Sequence, residues 1–241
     1  MSQVTAPMED VWSDRSVWGV GRYTVAGRTR LWPSTRAERA SAAAHATQHL
    51  GALGIGRGDL VLLVSRMSEG VQAVPVEDAV ANLDAVLCPA DGTVADSRRV
   101  ISFLRTFPLG AVLGLGPSTL EGCRQLDIPL SVFERAPILV ADHDAVGPLR
   151  LAGLDPFGWR FLGPCLAIEC RSRAGLHLDG DGWQVTEVDG ELILRPSRAG
   201  PGKEIRDDGP LATGVIGEVN PDPCSCGSRD PRVLIDSGPT A

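Results

Sequence analysis

Asp59-Leu60-Val61-Leu62-Leu63-Val64-Ser65 is an unbroken apolar run with a polar residue at each end. A strand with one wet face alternates apolar and polar residues. A run without alternation reads as a strand buried on both faces, the habit of parallel sheets covered by helices. Upstream, Thr35-Arg36-Ala37-Glu38 is a capping box. It opens a helix through Ala37, Ala44, His45 and Leu50 that stops near Gly51 or Gly54. Downstream, Pro75 marks a helix start, residues 76–83 a short helix and residues 85–88 a second buried strand. Residues 97–107 read as a helix with Val100, Ile101, Phe103, Leu104 and Phe107 on its apolar face. A third strand at 111–115, a helix at 118–126 and a strand at 138–141 continue the alternation. The pattern predicts an α/β fold, a parallel sheet covered by helices.

After about residue 165, Gly, Pro and Asp become frequent. Short strand-like runs at 183–188, 191–194, 217–219 and 232–235 are separated by turn signals such as Asp189-Gly190. This predicts a small β-rich lobe. Residues 1–33, with Trp12, Trp18 and Trp32, show no clean period and read as an arm packed on the body. The division expected is an arm at 1–35, an α/β unit at 36–160 and a β-rich lobe at 161–241.

The 241 residues are 43% hydrophobic and carry a formal charge of −7. There is no block of Lys or Arg, so nucleic acid and anionic membranes are poor partners. Lys203 is the only lysine. No apolar run approaches the ~20 residues of a membrane span, and the N-terminus lacks a leader pattern. A soluble, cytoplasmic protein is expected. Six cysteines in a chain this long do not make a disulfide scaffold, and Cys-x-Cys spacing suggests metal.

Cys170 and His177, with Cys224 and Cys226, supply three thiols and one imidazole, a full tetrahedral set for Zn²⁺. No coordination position is left open, so the set reads as a structural zinc site that pins two loops of a lobe with a thin core. Unliganded reduced thiols and a catalytic metal are the competing readings.

These same stretches resemble the phenylacetate–CoA ligase branch of the adenylate-forming enzymes. That branch carries Tyr-Gly-x-Thr/Ser-Glu, Gly-Pro, Ala-x-Glu-Cys and Gly-Leu-His. The matching residues are Phe157-Gly158-Trp159-Arg160-Phe161, Gly163-Pro164, Ala167-Ile168-Glu169-Cys170 and Gly175-Leu176-His177. Gly190-Glu191-Leu192 matches a Gly-Glu-Leu strand. Pro223-Cys224-Ser225-Cys226-Gly227 matches Pro-Cys-x-Cys-Gly, with Pro231-Arg232 after it. The segment 53–61 is similar in texture to the family's entry into its first sheet. The resemblance covers roughly residues 36–235 and implies a bound zinc at the Cys/His set. By analogy it also implies a homodimer.

The family condenses a carboxylate with ATP and hands the acyl group to CoA. Its phosphate-cradling loop ends in lysine, whereas the nearest stretch here, Gly114-Leu115-Gly116-Pro117-Ser118-Thr119, has none. Its Thr/Ser-Glu is replaced around Arg160-Phe161. Its ribose-gripping Asp aligns with Val215. Lys203, in Gly200-Pro201-Gly202-Lys203, matches neither family lysine, and nothing in the 241 residues corresponds to the mobile C-terminal domain. The resemblance therefore implies a truncated, degenerate relative for which no ATP is expected. Each loss removes charge stabilisation of a triphosphate transition state.

Three residues are candidates for non-ATP chemistry. His143 stands in Asp142-His143-Asp144 after a strand, where a neighbouring Asp could orient its imidazole; an Asp-rich helix cap is the blander reading. Cys165 is a nucleophile beside Arg160 or an inert buried thiol. Arg160 holds a carboxylate or phosphate, or forms an ordinary ion pair. His45 and His49 share an i, i+4 helical face but lack an evident third ligand, and read as surface residues. The expectation is a protein that binds a small acyl or aryl molecule, or its thioester, in an apolar crevice at the strand ends. It would catalyse cyclisation, condensation or acyl transfer in specialised metabolism. The alternatives are a non-catalytic module that binds a partner ligase or carrier protein, and a half-enzyme completed by a separate lid chain.

Overall fold

The computed structural model describes residues 15–25, 28–197 and 210–236. A hairpin of β1 (Val17–Val25) and β2 (Arg28–Thr35) leads into α1 (Arg36–Leu53). Then follow β3 (Leu60–Ser65), α2 (Gly70–Asn82), β4 (Val86–Asp91), α3 (Ser97–Thr106), β5 (Leu109–Leu115), α4 (Pro117–Gln125), β6 (Ile138–Asp142) and α5 (His143–Leu151). The rest is strands: β7 (Phe157–Leu162), β8 (Cys165–Glu169), β9 (Leu176–Leu178), β10 (Trp183–Val188), β11 (Glu191–Pro196), β12 (Leu211–Asn220) and β13 (Arg232–Ile235). Lys203 and Trp12 lie outside the described residues.

The capping box forms as the sequence predicts. Glu38 N–H donates to Thr35 Oγ1 at 3.1 Å, and Thr35 N–H donates to the Glu38 carboxylate at 2.8 Å. The helix ends where Gly54 takes φ +107°, a left-handed conformation natural to glycine. α2 starts at Gly70, ahead of Pro75, because a 3₁₀ turn at Met67–Glu69 leads into it. Pro75 then lies inside the helix, at the expense of one backbone hydrogen bond.

β1 and β2 pair as a two-stranded sheet of their own, and β3 to β13 form an eleven-stranded sheet in the order β10-β11-β12-β13-β9-β8-β7-β6-β5-β3-β4. β4, β3, β5, β6 and β7 are mutually parallel. β8 turns back antiparallel on β7, and the remaining pairings are antiparallel. Residues 160 and 161 both lie within β7, so the sheet runs unbroken from the helix-covered half into the β-rich half.

Burial on both faces explains the run at residues 59–65. Leu62 and Val64 face a core closed by Val100, Leu104, Phe133 and Leu149. Val61 and Leu63 face the opposite core, closed by Ala46 and Leu50 of α1 and by Val76 and Val80 of α2. A third core lies in the β-rich half, and the N-terminal hairpin belongs to it. Tyr23 and Trp32 pack there with Leu178, Trp183 and Leu194, and the Trp32 and Trp183 rings are 5.3 Å apart. The described part of the stretch read as an arm is thus a pair of antiparallel strands that closes a core. No described helix is long and apolar enough to cross a membrane.

Candidate functional site

Cys170 follows β8, His177 lies in β9, and Cys224 and Cys226 lie in the turn between β12 and β13. β13 pairs with β9, opposing Arg232 to His177, and this carries the Cys-x-Cys turn onto the other two residues. Gly227 closes the turn at φ +90°, its N–H donating to Cys224 carbonyl oxygen at 3.0 Å. Arg232, 5% exposed, ties the two loops together. It donates to Ala174 oxygen at 2.7 Å and to Asp222 oxygen at 2.9 Å.

The four donor atoms lie within 4.8 Å of one another. Cys170 Sγ and Cys224 Sγ are 3.7 Å apart, and Cys226 Sγ is 3.5 Å from His177 Nε2. Tetrahedral Zn²⁺ with bonds of about 2.3 Å to sulfur and 2.0–2.1 Å to nitrogen sets S–S and S–N edges near ~3.8 and ~3.6 Å. The residues therefore fit a metal of that size. Their electrostatics fit as well. Burial and neighbouring Cys224 and Cys170 push the Cys226 thiol up to about 11, a penalty that a divalent cation removes. Burial opposes ionisation of Cys224 too, yet hydrogen bonds from Cys226 and Cys170 outweigh it and bring that thiol down to about 7. Burial lowers His177 to about 4, leaving its imidazole neutral and able to ligate.

His45 and His49 are not surface residues. They are 6% and 2% exposed, because the α1 face that bears them packs against the β-rich half. The His49 ring stacks on His177 with centroids 4.9 Å apart and meets His45 at 4.6 Å. The third group the sequence did not reveal is Asp230, whose Oδ2 lies 3.5 Å from His49 Nε2 and 3.8 Å from His45 Nδ1.

The carboxyl ends of β3, β5, β6 and β7 open into a crevice of about 380 Å³. Contrary to the apolar pocket expected, its charged lining is Arg66, Glu69, Asp142, Asp144 and Arg160. Trp159 and Phe161, with rings 5.6 Å apart, line it beside Val64. Gly114 and Gly116, from the stretch nearest to a phosphate loop, also line it. A side chain at Gly114, where φ is +82°, would run into Val64 oxygen and lie 2.8 Å from the Trp159 ring. Past Pro117 and Asp144, which line both, lies an apolar groove of about 470 Å³ bounded by Leu120, Ile128, Leu130 and Pro148.

Of the three residues singled out for chemistry, only Arg160 lines the crevice. It is committed there, donating to Asp142 at 2.9 Å and Asp144 at 2.6 Å. His143 begins α5 behind the Asp142 cap, and its Nε2 is buried without a hydrogen-bond partner. Burial lowers its pKa. Cys165, 2% exposed, sits in the third core rather than on the crevice wall. Burial pushes its thiol far up, so it has the place of an inert core thiol and not of a nucleophile. The crevice residue that sequence reasoning missed is Arg66. Its guanidinium donates to Ser118 Oγ at 2.7 Å and forms no ion pair among the described residues.

No family model matches the sequence, and no curated protein matches it. Solved structures do. 2-Hydroxyisobutyryl-CoA ligase, in complex with 2-HIB-AMP and CoA, superimposes with a TM-score of 0.67 at 18% identity, over 95% of this chain and 57% of that one. The anthranilate CoA ligase AuaEII, in complex with anthranoyl-AMP, gives 0.58 at 12% identity, over 90% and 46%. E. coli MenE, with an analogue of OSB-AMS, gives 0.53 at 15%, over 89% and 47%. The fold is that of the acyl- and aryl-CoA ligases of the adenylate-forming superfamily, and the chain spans about half the length of the structures it matches.

Proposed function

We propose that this chain binds a small acyl or aryl carboxylate, or its thioester, in the crevice at the strand ends, and that it does so without adenylating it. The observation that carries the reading is the crevice lining. Two arginines face three carboxylates there, and Arg160 is held by two of them. A triphosphate needs concentrated positive charge, and such a lining repels it. One exposed guanidinium, Arg66, suits a single carboxylate. Trp159 and Phe161 offer flat apolar surface beside it, and the groove beyond Pro117 offers room for an apolar tail.

In this reading Cys170, His177, Cys224 and Cys226 hold a structural Zn²⁺. When bound, the ion supplies charge neutralisation for the clustered thiols and fixes the two loops that Arg232 already bridges. The anion would be oriented by Arg66 and the ring floor by β7. The fold is shared with enzymes whose structures hold acyl- and aryl-AMP, which supports an acyl or aryl ligand.

Native mass spectrometry with a panel of aryl and aliphatic acids and their thioesters tests the proposal. A one-to-one complex that weakens about tenfold or more in Arg66→Gln is expected, the loss of one charge-assisted contact. A panel with no complex, or with complexes indifferent to Arg66→Gln, refutes it.

A further inference from the structure

The cluster of His45, His49 and Asp230 is a second place where the chain brings metal-binding groups together. All three donor atoms lie within 4.8 Å of one another. A tetrahedral zinc with bonds of about 2.0–2.2 Å to nitrogen and oxygen sets donor separations near ~3.4 Å. The observed 3.5 Å from His49 Nε2 to Asp230, and 3.8 Å from His45 Nδ1, are within a few tenths of that. The two histidines are spaced one helical turn apart on α1, which aims both imidazoles at one point.

The surroundings have the character of a ligand site. The side chains of His45 and His49 are 4% and 3% exposed. His49 Nε2, one of the converging atoms, has the 3.5 Å approach to the Asp230 carboxylate as its polar contact and no shorter hydrogen bond. A buried polar atom held so loosely is a standing cost in a folded protein. Asp230 is oriented for the task. Ser228 Oγ donates to its Oδ2 at 3.0 Å, the outer-shell contact that ligating carboxylates carry. The nearby carboxylate of Asp179 is occupied elsewhere, accepting from Ser41 Oγ at 2.7 Å and from the N–H groups of Asp181 and Gly182.

From this geometry we propose that His45, His49 and Asp230 bind a second divalent transition-metal ion of the zinc class. Three protein donors leave one tetrahedral position free, in contrast to the closed sulfur-rich set beside it. Two imidazole nitrogens and one carboxylate favour Zn²⁺ or Co²⁺ over Mg²⁺ or Ca²⁺, which take oxygen ligands. The exposed edge of Asp230, whose side chain is 27% accessible, is the route of entry. Such an ion would join α1 to the loop ahead of β13.

Titration of the full chain with Co²⁺, followed by absorption, tests this. Thiolate-to-cobalt charge transfer reports the Cys set alone. A second equivalent, with ligand-field bands but no added thiolate absorption, is expected in the wild type. Asp230→Asn, which keeps the shape and removes the charge, is expected to lose that equivalent and keep the thiolate band. Two equivalents persisting in Asp230→Asn would overturn the proposal. So would a wild type whose cobalt absorption carries thiolate character throughout, a result that holds even where the variant is unstable.

Discussion

The imidazole of His49, on the first helix, lies stacked on that of His177, a member of the Cys/His set, with ring centroids 4.9 Å apart. The contact joins the helix-covered half of the sheet to the loops that carry the thiols. It also means that the geometry of the Cys/His set depends on the packing of α1, far away in sequence.

Arg232 bridges the two ligand loops through the Ala174 and Asp222 carbonyls. Arg232→Met leaves both oxygens without their donor. The expected loss is about 3 kcal/mol, a fall in melting temperature of roughly 6–12 °C for a chain of this size. Thermal melts with and without a chelator check it. The wild type is expected to lose stability on chelation, and the variant to lose less, because its loops are already released.

Gly114 lets β5 pass close to β3 under the Trp159 ring. Gly114→Ala forces a side chain into a left-handed backbone position and against Val64 oxygen. A destabilisation of about 2–3 kcal/mol is expected from denaturant unfolding. Ligand affinity is expected to drop with it, since Trp159 must move.

His143 is held below its ordinary value of 6.5, first by burial. The unfolded chain therefore takes up this proton before the folded one does. Its contribution to stability is complete above about pH 6.5 and declines as the pH falls below that value. His143→Gln is expected to flatten the stability–pH curve on the acid side of 6.5 while leaving it unchanged at pH 8. Denaturant midpoints across that range measure the difference.

ATP–pyrophosphate exchange with aryl and aliphatic acids is expected to stay at the level of a protein-free control. The charge in the crevice is the reason. Restoring positive charge by Asp144→Asn, which frees Arg160 of one partner, is expected to leave exchange at background, because the stretch 114–119 still has no lysine.

Much of the parallel half was legible in sequence. A strand covered on both faces must be apolar throughout, so residues 59–65 and 111–115 announce themselves. The Cys/His set was legible because thiols and imidazoles are few. Other parts depend on partners that sequence does not place. The β1–β2 hairpin is stabilised by Trp32 meeting Trp183, across most of the chain. His45 and His49 had no visible third ligand, because Asp230 comes from the loop after the Cys-x-Cys turn. The signal was present as a His-x₃-His face on a helix together with an acidic residue just past the thiols. The crevice misled for a similar reason: strand interiors predict an apolar wall, whereas its lining comes from strand ends and the loops beyond them.

Calorimetric titration of an arylcarboxylate or its thioester, with and without ATP and Mg²⁺, tests the central claim most directly. Saturable one-site binding that Arg66→Gln weakens and that nucleotide leaves unchanged is the result predicted. Binding that requires ATP, or no binding by any member of the panel, would contradict it.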